Sequence, residues 1–203
     1  YIRVFTPGSQ YVKANYLQFN YSIQLDPSVL IASSPSGFKK VISKITTSSA
    51  LQINKKKIAA NGFLFNPFIK ELVDTNLVSL NLFMSNTLFY NRANPKWGLE
   101  VTQSQSGTKA LLAYGFESRD TRQWNLKGRY AMNKSFQTAI NLRAQGNDLA
   151  TTGSNFNNRN YQIRQWHTEP AITYLYKQSF RAILSYGYTQ KENTIDSMEQ
   201  SMH

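Results

Sequence analysis

The sequence predicts an all-β protein: an antiparallel, up-and-down transmembrane β-barrel, of which about nine strands lie within these 203 residues. The first observation is a side-chain period of two, with apolar residues on one side of each segment and polar residues on the other. The second is segment length, since many segments have about ten residues, the length that crosses a bilayer when a strand is tilted. The third is that aromatic residues gather near the ends of the apolar stripes, as in the girdles of membrane barrels.

The alternation can be followed strand by strand. In the clearest segment, Phe136, Ile140 and Leu142 alternate with polar residues such as Asn141 and Arg143. One apolar face with a period of two is typical of antiparallel strands. The nine predicted strands lie at 17–25, 41–53, 78–90, 97–101, 111–117, 124–132, 136–145, 166–174 and 180–189.

Seven aromatic residues occupy apolar positions near strand ends, and we expect them at the lipid interface. Amphipathic rings favour the headgroup level of a bilayer, which explains such a placement. These residues are Trp97, Trp124, Phe136, Trp166, Tyr174, Phe180 and Tyr188. A soluble antiparallel sheet with one solvated face alternates in the same way, so that alternative stays open.

Turn-like residues separate the segments. Short turns are predicted at 105–108, 133–135 and 177–179, and they alternate with longer loops at 117–123 and 146–160. Because short turns face the periplasm in such barrels and longer loops face outward, 90–96 would lie outside and 55–74 inside.

One long segment does not fit the strand pattern. Residues 55–76 are predicted to form an irregular or short-helical insertion. Within it, 66–73 could form a helix that Asn66 caps and Pro67 starts.

Composition excludes several kinds of site. The chain has no Cys, which excludes a disulfide scaffold, a thiolate metal centre and a cysteine nucleophile. Its two histidines, His167 and His203, are too few for a multi-histidine metal centre, and no zinc or EF-hand pattern is present. We therefore expect no metal and no cofactor. In addition, no apolar run approaches the roughly 18 residues of a spanning helix.

The net charge is strongly positive. The chain has 23 Lys and Arg against 11 Asp and Glu, which gives +12. Such a charge could serve nucleic acid or another anionic surface. Nucleic-acid binding needs stacking aromatics and basic residues on one face, whereas most aromatics here face away from the charges. We therefore expect no nucleic-acid partner.

Four basic residues occupy inward, polar strand positions and form a predicted lumen-facing basic belt. They are Lys127, Arg129, Arg143 and Arg181. If adjacent strands bring them together, the belt would favour anionic solutes. The alternative is that they pair with acidic residues of neighbouring strands, namely Glu100, Glu117 and Glu169.

His167 and Glu169 lie two residues apart on one strand face and form a predicted lumenal pair. A histidine–carboxylate pair can act as a general base. No nucleophile context or oxyanion motif accompanies this pair, so an ion pair is the favoured interpretation. We expect no catalytic residue and no enzyme activity.

Several runs resemble the C-terminal β-barrel region of large, poorly characterised outer-membrane proteins of Bacteroidota. The runs are YVKANYL at 11–17, SALQINKK at 49–56, NRANPKWG at 91–98 and LAYGFESR at 112–119. The resemblance implies a bacterial outer-membrane location and a chain much longer than 203 residues. It implies no activity, because that group offers no catalytic motif to carry over.

Together these observations predict a porin-like barrel component that acts as a channel, a translocation component or an assembly-complex subunit. Its expected partners are the lipid bilayer, lipopolysaccharide, the remainder of its own barrel and other outer-membrane or periplasmic proteins. Both chain ends resemble cuts, and nine strands is an odd number, so residues 1–203 are expected to be a single barrel segment of a longer chain. The alternative function is a soluble or surface-exposed antiparallel β-module that binds glycans through exposed aromatics.

Overall fold

The computed structural model describes residues 14–29, 31, 36–58, 77–112, 115–152, 159–177 and 179–194. These residues include nine strands, a short helix, a 3₁₀ turn at Pro27–Val29 and isolated helical residues at Arg159 and Thr194. The elements are β1 (Ala14–Leu25), α1 (Phe38–Ile42), β2 (Ile45–Ile58), β3 (Leu77–Tyr90), β4 (Trp97–Leu112), β5 (Gly115–Ala131), β6 (Phe136–Thr151), β7 (Tyr161–Tyr176), β8 (Phe180–Ser185) and β9 (Tyr188–Asn193). No helix in these ranges has the length and apolar character needed to span a membrane.

The strands form one antiparallel sheet in which neighbours along the chain are also neighbours in the sheet, from β1 to β8. This confirms the predicted all-β, up-and-down architecture. β8 and β9 both pair with β7, at its two ends. The edges are therefore β1 on one side and β8 with β9 on the other. The register of the described strands does not pair these two edges, so the sheet is open.

β8 and β9 continue one another in a single register along β7. The break between them lies at Tyr186, opposite Pro170, whose carbonyl accepts a hydrogen bond from the Tyr186 N–H at 3.1 Å. An antiparallel pair of this kind normally exchanges two bonds, but proline has no N–H to return the second one. The proline therefore explains why the ladder is interrupted where β8 ends.

The turn predicted at 105–108 and the loop predicted at 117–123 are wrong, because both ranges lie inside long, fully paired strands. β4 has 16 residues and β5 has 17, and the register pairs 105–108 of β4 with 119–122 of β5. The predicted strand at 111–117 is divided instead, because β4 ends at Leu112 and β5 begins at Gly115. Gly115 has a φ of 124°, which glycine adopts readily.

The missing turn at 105–108 reverses the orientation predicted for every upstream strand. β2 ends and β3 begins at the end of the sheet where β6 ends and β7 begins, here called the long-loop end. The turns at 91–96 and 132–135, like the end of β7 and the start of β8, lie at the opposite, short-turn end. The prediction that 90–96 lies across the sheet from the other two turns is therefore wrong. The end of β1 at Leu25 and the start of β2 at Ile45 also lie at the short-turn end, although 19 residues separate these two strands.

Three further predicted boundaries change. The predicted loop at 146–160 is wrong in its first part, because β6 continues to Thr151. β2 extends to Ile58, because Lys55, Lys56 and Lys57 are paired with both β1 and β3. The remainder of the predicted insertion, including its helix at 66–73, lies outside the described residues. Val41, predicted on a strand, belongs to α1.

The sheet buries little apolar side chain. Among the described residues the buried apolar ones are Leu51, Ile53, Leu77 and Leu149, and no large side chain there is fully buried. A soluble domain encloses its core between two layers of secondary structure. Here the apolar side chains lie mainly on one open face of a single sheet.

Candidate functional site on the two faces of the sheet

The register assigns the strand residues to two faces, because directly paired residues of antiparallel strands share a face. One face, here called the apolar face, carries all seven predicted interface aromatics. The other, here called the polar face, carries all four predicted belt residues together with His167 and Glu169. The two predicted groups of residues are thus separated by the thickness of the sheet.

The apolar face has a broad band of exposed apolar side chains that crosses β4 to β9, here called the apolar band. Trp166 is 67% exposed and Trp124 is 58% exposed. An exposed apolar patch that extends over several strands marks a surface that meets something other than water. Its most exposed members are Trp97, Leu99, Trp124, Tyr130, Phe136, Ile140, Trp166, Ile172, Tyr176, Phe180, Leu184, Tyr186 and Tyr188.

The seven predicted aromatics lie along the two borders of this band. On the long-loop side lie Trp124, Trp166 and Tyr188. On the short-turn side lie Trp97, Phe136, Tyr174 and Phe180. The rings of Phe136 and Tyr174 contact each other across β6 and β7, with 4.7 Å between centroids. Aromatic residues therefore border the band on both sides.

The band crosses the sheet obliquely. In β7 its members run from Trp166 to Tyr176, whereas the apolar residues on the same face of β1 run from Leu17 to Leu25. Through successive registers, Leu17 aligns with Lys109 of β4 and Ala150 of β6, far beyond the border set by Trp124. A level band on tilted strands requires this kind of stagger.

On the polar face, the residues of the predicted belt have different partners. Lys127 Nζ lies 3.3 Å from Glu100 Oε1, so this lysine makes the interstrand ion pair that was the alternative to a free belt. Glu117 pairs instead with Arg119 of its own strand at 2.9 Å. Arg181 is paired with Leu175 near the short-turn end, about 26 Å along β7 from His167 at roughly 3.3 Å per residue. The belt is therefore spread along the strands.

Arg129 supports the turn between β3 and β4. Its Nη2 donates to the carbonyls of Arg92 and Asn94, the latter at 3.0 Å. The side chain reaches these carbonyls by crossing Gly98, where an added Cβ would lie 2.8 Å from Arg129 Nε. The glycine opposite an arginine was the sequence signal for this contact, and the sequence analysis missed it.

The centre of the polar face contains polar atoms with no hydrogen-bond partner among the described residues. They are Oδ1 of Asn125, Oδ1 of Asn141 and Nε of Arg143, and all three atoms are buried. Asn125 and Arg143 are directly paired across β5 and β6. Such groups cost about 1–3 kcal/mol each when they remain unsatisfied, and these atoms meet no water without a local rearrangement, because they are shielded from solvent.

His167 is paired with Arg143 across β6 and β7. Its Nδ1 lies 2.8 Å from Thr189 Oγ1, and its Nε2 lies 3.7 Å from Glu169 Oε2. The structure thus brings the predicted lumenal pair together and adds Thr189, which the sequence analysis did not single out. No group of three or more His, Asp or Glu residues that could hold a metal occurs among the described residues.

A cavity of about 610 Å³ opens on the polar face near the short-turn end. Its lining includes Phe89, Glu100, Lys127, Asn141 and Glu169. These side chains offer charges of both signs, an amide and one aromatic ring. The cavity can therefore accommodate a polar solute or chain segment, and two of its charged groups, Glu100 and Lys127, are paired with each other.

The fold and this geometry define a class: an open antiparallel sheet with one exposed apolar face and one polar face. Comparisons with protein-family models, curated proteins and solved structures gave no match for this chain.

Proposed function

We propose that this chain supplies part of a transmembrane β-barrel in a bacterial outer membrane. In this proposal the apolar face contacts lipid and the polar face lines the barrel interior. The observation that carries the proposal is the apolar band, which is exposed, oblique to the strands and bordered by aromatics on both sides. Water penalises such a surface, whereas lipid acyl chains do not.

The polar face supports a role as a channel, a translocation component or an assembly-complex subunit. Its residues Arg129 and Arg143, which have no acidic partner among the described side chains, and its open cavity are suited to a wet interior through which polar material passes. The proposal assigns no catalysis to this face. Thr189 and Glu169 hold His167 in place, so in this proposal the histidine has a structural role on the interior surface of the barrel.

The partners in this proposal follow from the open sheet. Lipid does not tolerate an unpaired strand edge, so the edges at β1 and at β8 with β9 must pair with further strands of the same barrel. The expected surroundings also include lipopolysaccharide and, separately, other proteins of the outer membrane or periplasm.

Membrane extraction tests the proposal. The full-length protein in isolated bacterial envelopes should remain in the membrane after washing with alkaline carbonate and should be released by detergent. A protein that partitions into buffer without detergent would contradict the barrel. It would instead favour a soluble module that binds glycans through Trp124 and Trp166.

Ion selectivity tests the role of the polar face. Single-channel recording of the reconstituted full-length protein should show a preference for anions, because Arg143 and Arg129 have no acidic partner among the described side chains. Replacing Arg143 with Gln should weaken this preference. The matched control is Arg122→Gln on the apolar face, which should leave it unchanged. Cation selectivity would overturn the basic lumen.

A further inference from the structure

A repeated triplet marks the long-loop border of the apolar band. The sequence Arg-Gln-Trp occurs at 122–124 in β5 and again at 164–166 in β7. The register through β6 brings the two copies level, because Trp124 and Trp166 both pair with Ala144, and Arg122 and Arg164 both pair with Gly146. Ala144 and Gly146 of β6 thus lie between the two copies of the triplet, which form the two sides of a site.

These residues form a shallow site, here called the tryptophan–arginine cradle. Two strand spacings separate its walls, about 10 Å. The members are Trp124, Trp166, Arg122, Arg164, Ala144 and Gly146. Both tryptophans are more than half exposed, so their rings are available to a ligand.

The arginines are held in place by carboxylates on the same face. Arg122 Nε lies 2.7 Å from Asp120 Oδ2, and Arg164 Nη1 lies 2.7 Å from Asp148 Oδ1. Arg164 lies over Gly146, where an added Cβ would be 2.6 Å from its Nη1. A guanidinium has five N–H donors, so each arginine retains donors after these bonds.

The charge balance of the cradle decides between two ligand chemistries. Arg122 and Arg164 are matched by Asp120 and Asp148, and Glu192 of β9 pairs with Arg164 in the register, so the region has no excess positive charge. A phosphate would be repelled by the three carboxylates and would have to compete with them for the two arginines. A sugar ring fits better, because its hydroxyls both donate and accept hydrogen bonds and its C–H face packs on the electron-rich face of an indole.

We propose that the tryptophan–arginine cradle binds the saccharide headgroup of an outer-leaflet glycolipid. The inference rests on the proposed barrel, which places the long-loop border of the apolar band at the level of the lipid headgroups. There the tryptophans contact the sugar ring, while the arginines and their carboxylates bind its hydroxyls. The acyl chains of the same lipid lie along the apolar band.

The test uses the full-length protein in phosphatidylcholine nanodiscs, with rough-type lipopolysaccharide as the probe. The readout is the lipopolysaccharide content at which the retained lipid per protein is half-maximal. Replacing Trp124 and Trp166 together with Leu keeps the band apolar and should raise this value about tenfold. The matched control is Trp97→Leu on the opposite border, which should change it less than about twofold.

A second variant blocks the cradle without removing any of its groups. Ala144→Phe fills the space between the two tryptophans and should also raise the half-maximal lipopolysaccharide content by about tenfold. If the Trp124 and Trp166 double variant and the Ala144→Phe variant both insert and retain lipopolysaccharide as the unmodified protein does, the cradle is not a glycolipid site.

Further binding measurements distinguish recognition of the sugar from recognition of phosphate. They also distinguish a lipid-borne sugar from a free glycan. Lipopolysaccharide stripped of its phosphates should bind as well as the intact lipid, and phosphatidic acid should not compete. The reverse result would overturn saccharide recognition. Equal binding of the soluble core oligosaccharide would overturn the choice of a lipid-borne sugar.

Insertion into the nanodisc distinguishes failure of this inference from failure of the barrel. A protein that inserts but does not distinguish the cradle variants overturns the glycolipid site and leaves the barrel proposal intact. A protein that stays outside the nanodisc overturns both.

Discussion

The long strands β5, β6 and β7 each have two unlike halves. Toward the short-turn end, from Trp124 in β5 and Trp166 in β7, apolar and polar side chains alternate between the faces. Toward the long-loop end the face that carries the band becomes mainly polar, whereas the other face combines polar residues with the apolar Leu149 and Ile163. The backbone ladder is continuous through both halves, so the change lies entirely in the side chains. In the proposed barrel, the surroundings of the sheet change at this level while the fold does not.

The polar halves are stabilised differently from the band. Arg122–Asp120 and Arg164–Asp148 ion pairs lie on the face that carries the band farther along, and Thr121 donates to Asn147 at 3.0 Å on the other face. Polar side chains that pair on both faces of a sheet are typical of strands in water on both sides. In the proposed barrel these halves project beyond the lipid.

The largest expected effect comes from a charge placed in the band. Ile172→Arg puts a guanidinium on the apolar face of β7 and should destabilise the barrel in lipid vesicles by about 2–4 kcal/mol, since Arg is costly at the bilayer midplane. Chemical denaturation of the full-length protein in vesicles measures this. The adjacent Thr173→Arg, on the polar face, should cost less than about 1 kcal/mol.

The same substitution in the other half sharpens the comparison. Gln162→Arg lies on the same face of β7 as Ile172 but beyond Trp166, and it should change stability by less than about 0.5 kcal/mol. Equal losses of stability for Ile172→Arg and Gln162→Arg would show that both halves of β7 lie in the same environment. That result would contradict the proposed boundary between lipid and water.

A smaller effect is expected where Arg129 crosses Gly98. Gly98→Ala would place a methyl group 2.8 Å from Arg129 Nε and 3.3 Å from the Asn91 carbonyl oxygen. The side chain must move off the turn, and we expect a loss of about 1–3 kcal/mol, as for other overpacked sites. Unfolding of the variant measures the loss.

Gly107→Ala is the matched control for this substitution. Its Cβ would lie 3.4 Å from Asp120 Oδ1, an ordinary contact, so the change should be near neutral. If Gly98→Ala is as mild as Gly107→Ala, Arg129 does not hold the turn as described.

The smallest expected effect concerns the ion pairs of the polar half. Asp148→Asn removes the partner of Arg164 and should cost about 0.2–1 kcal/mol, because both side chains are partly exposed. The loss should shrink as salt is added, since salt screens exposed charges. A salt-independent loss above about 2 kcal/mol would show that this half is buried, against the comparison drawn above.

The sequence predicted the architecture well where one face is apolar. From 124 to 145 and from 166 to 189 the alternation identified the strands and assigned the aromatics and the belt residues to opposite faces. It failed from 103 to 123, where polar residues on both faces of β4 and β5 have the composition of loops. Backbone pairing holds these segments in strands, and side-chain periodicity does not record it.

The candidate site was predictable only in part for a similar reason. The placement of His167 beside Glu169 follows from their spacing on one strand. The contact with Thr189 depends on a register between segments 22 residues apart, and the bonds from Arg129 depend on the conformation of the turn at 91–96. The repeated Arg-Gln-Trp triplet was visible in the sequence, but its significance depends on both copies pairing with β6.

Site-directed spin labelling along β7 tests the central claim most directly. This chain has no Cys, so single cysteines can be introduced from 166 to 176 in the full-length protein, with any other cysteines replaced. In reconstituted vesicles, labels at even positions should collide with lipid-soluble oxygen, and labels at odd positions with a water-soluble nickel complex. Accessibility should therefore alternate with a period of two. Equal access of the nickel complex to both sets would contradict a lipid-facing sheet.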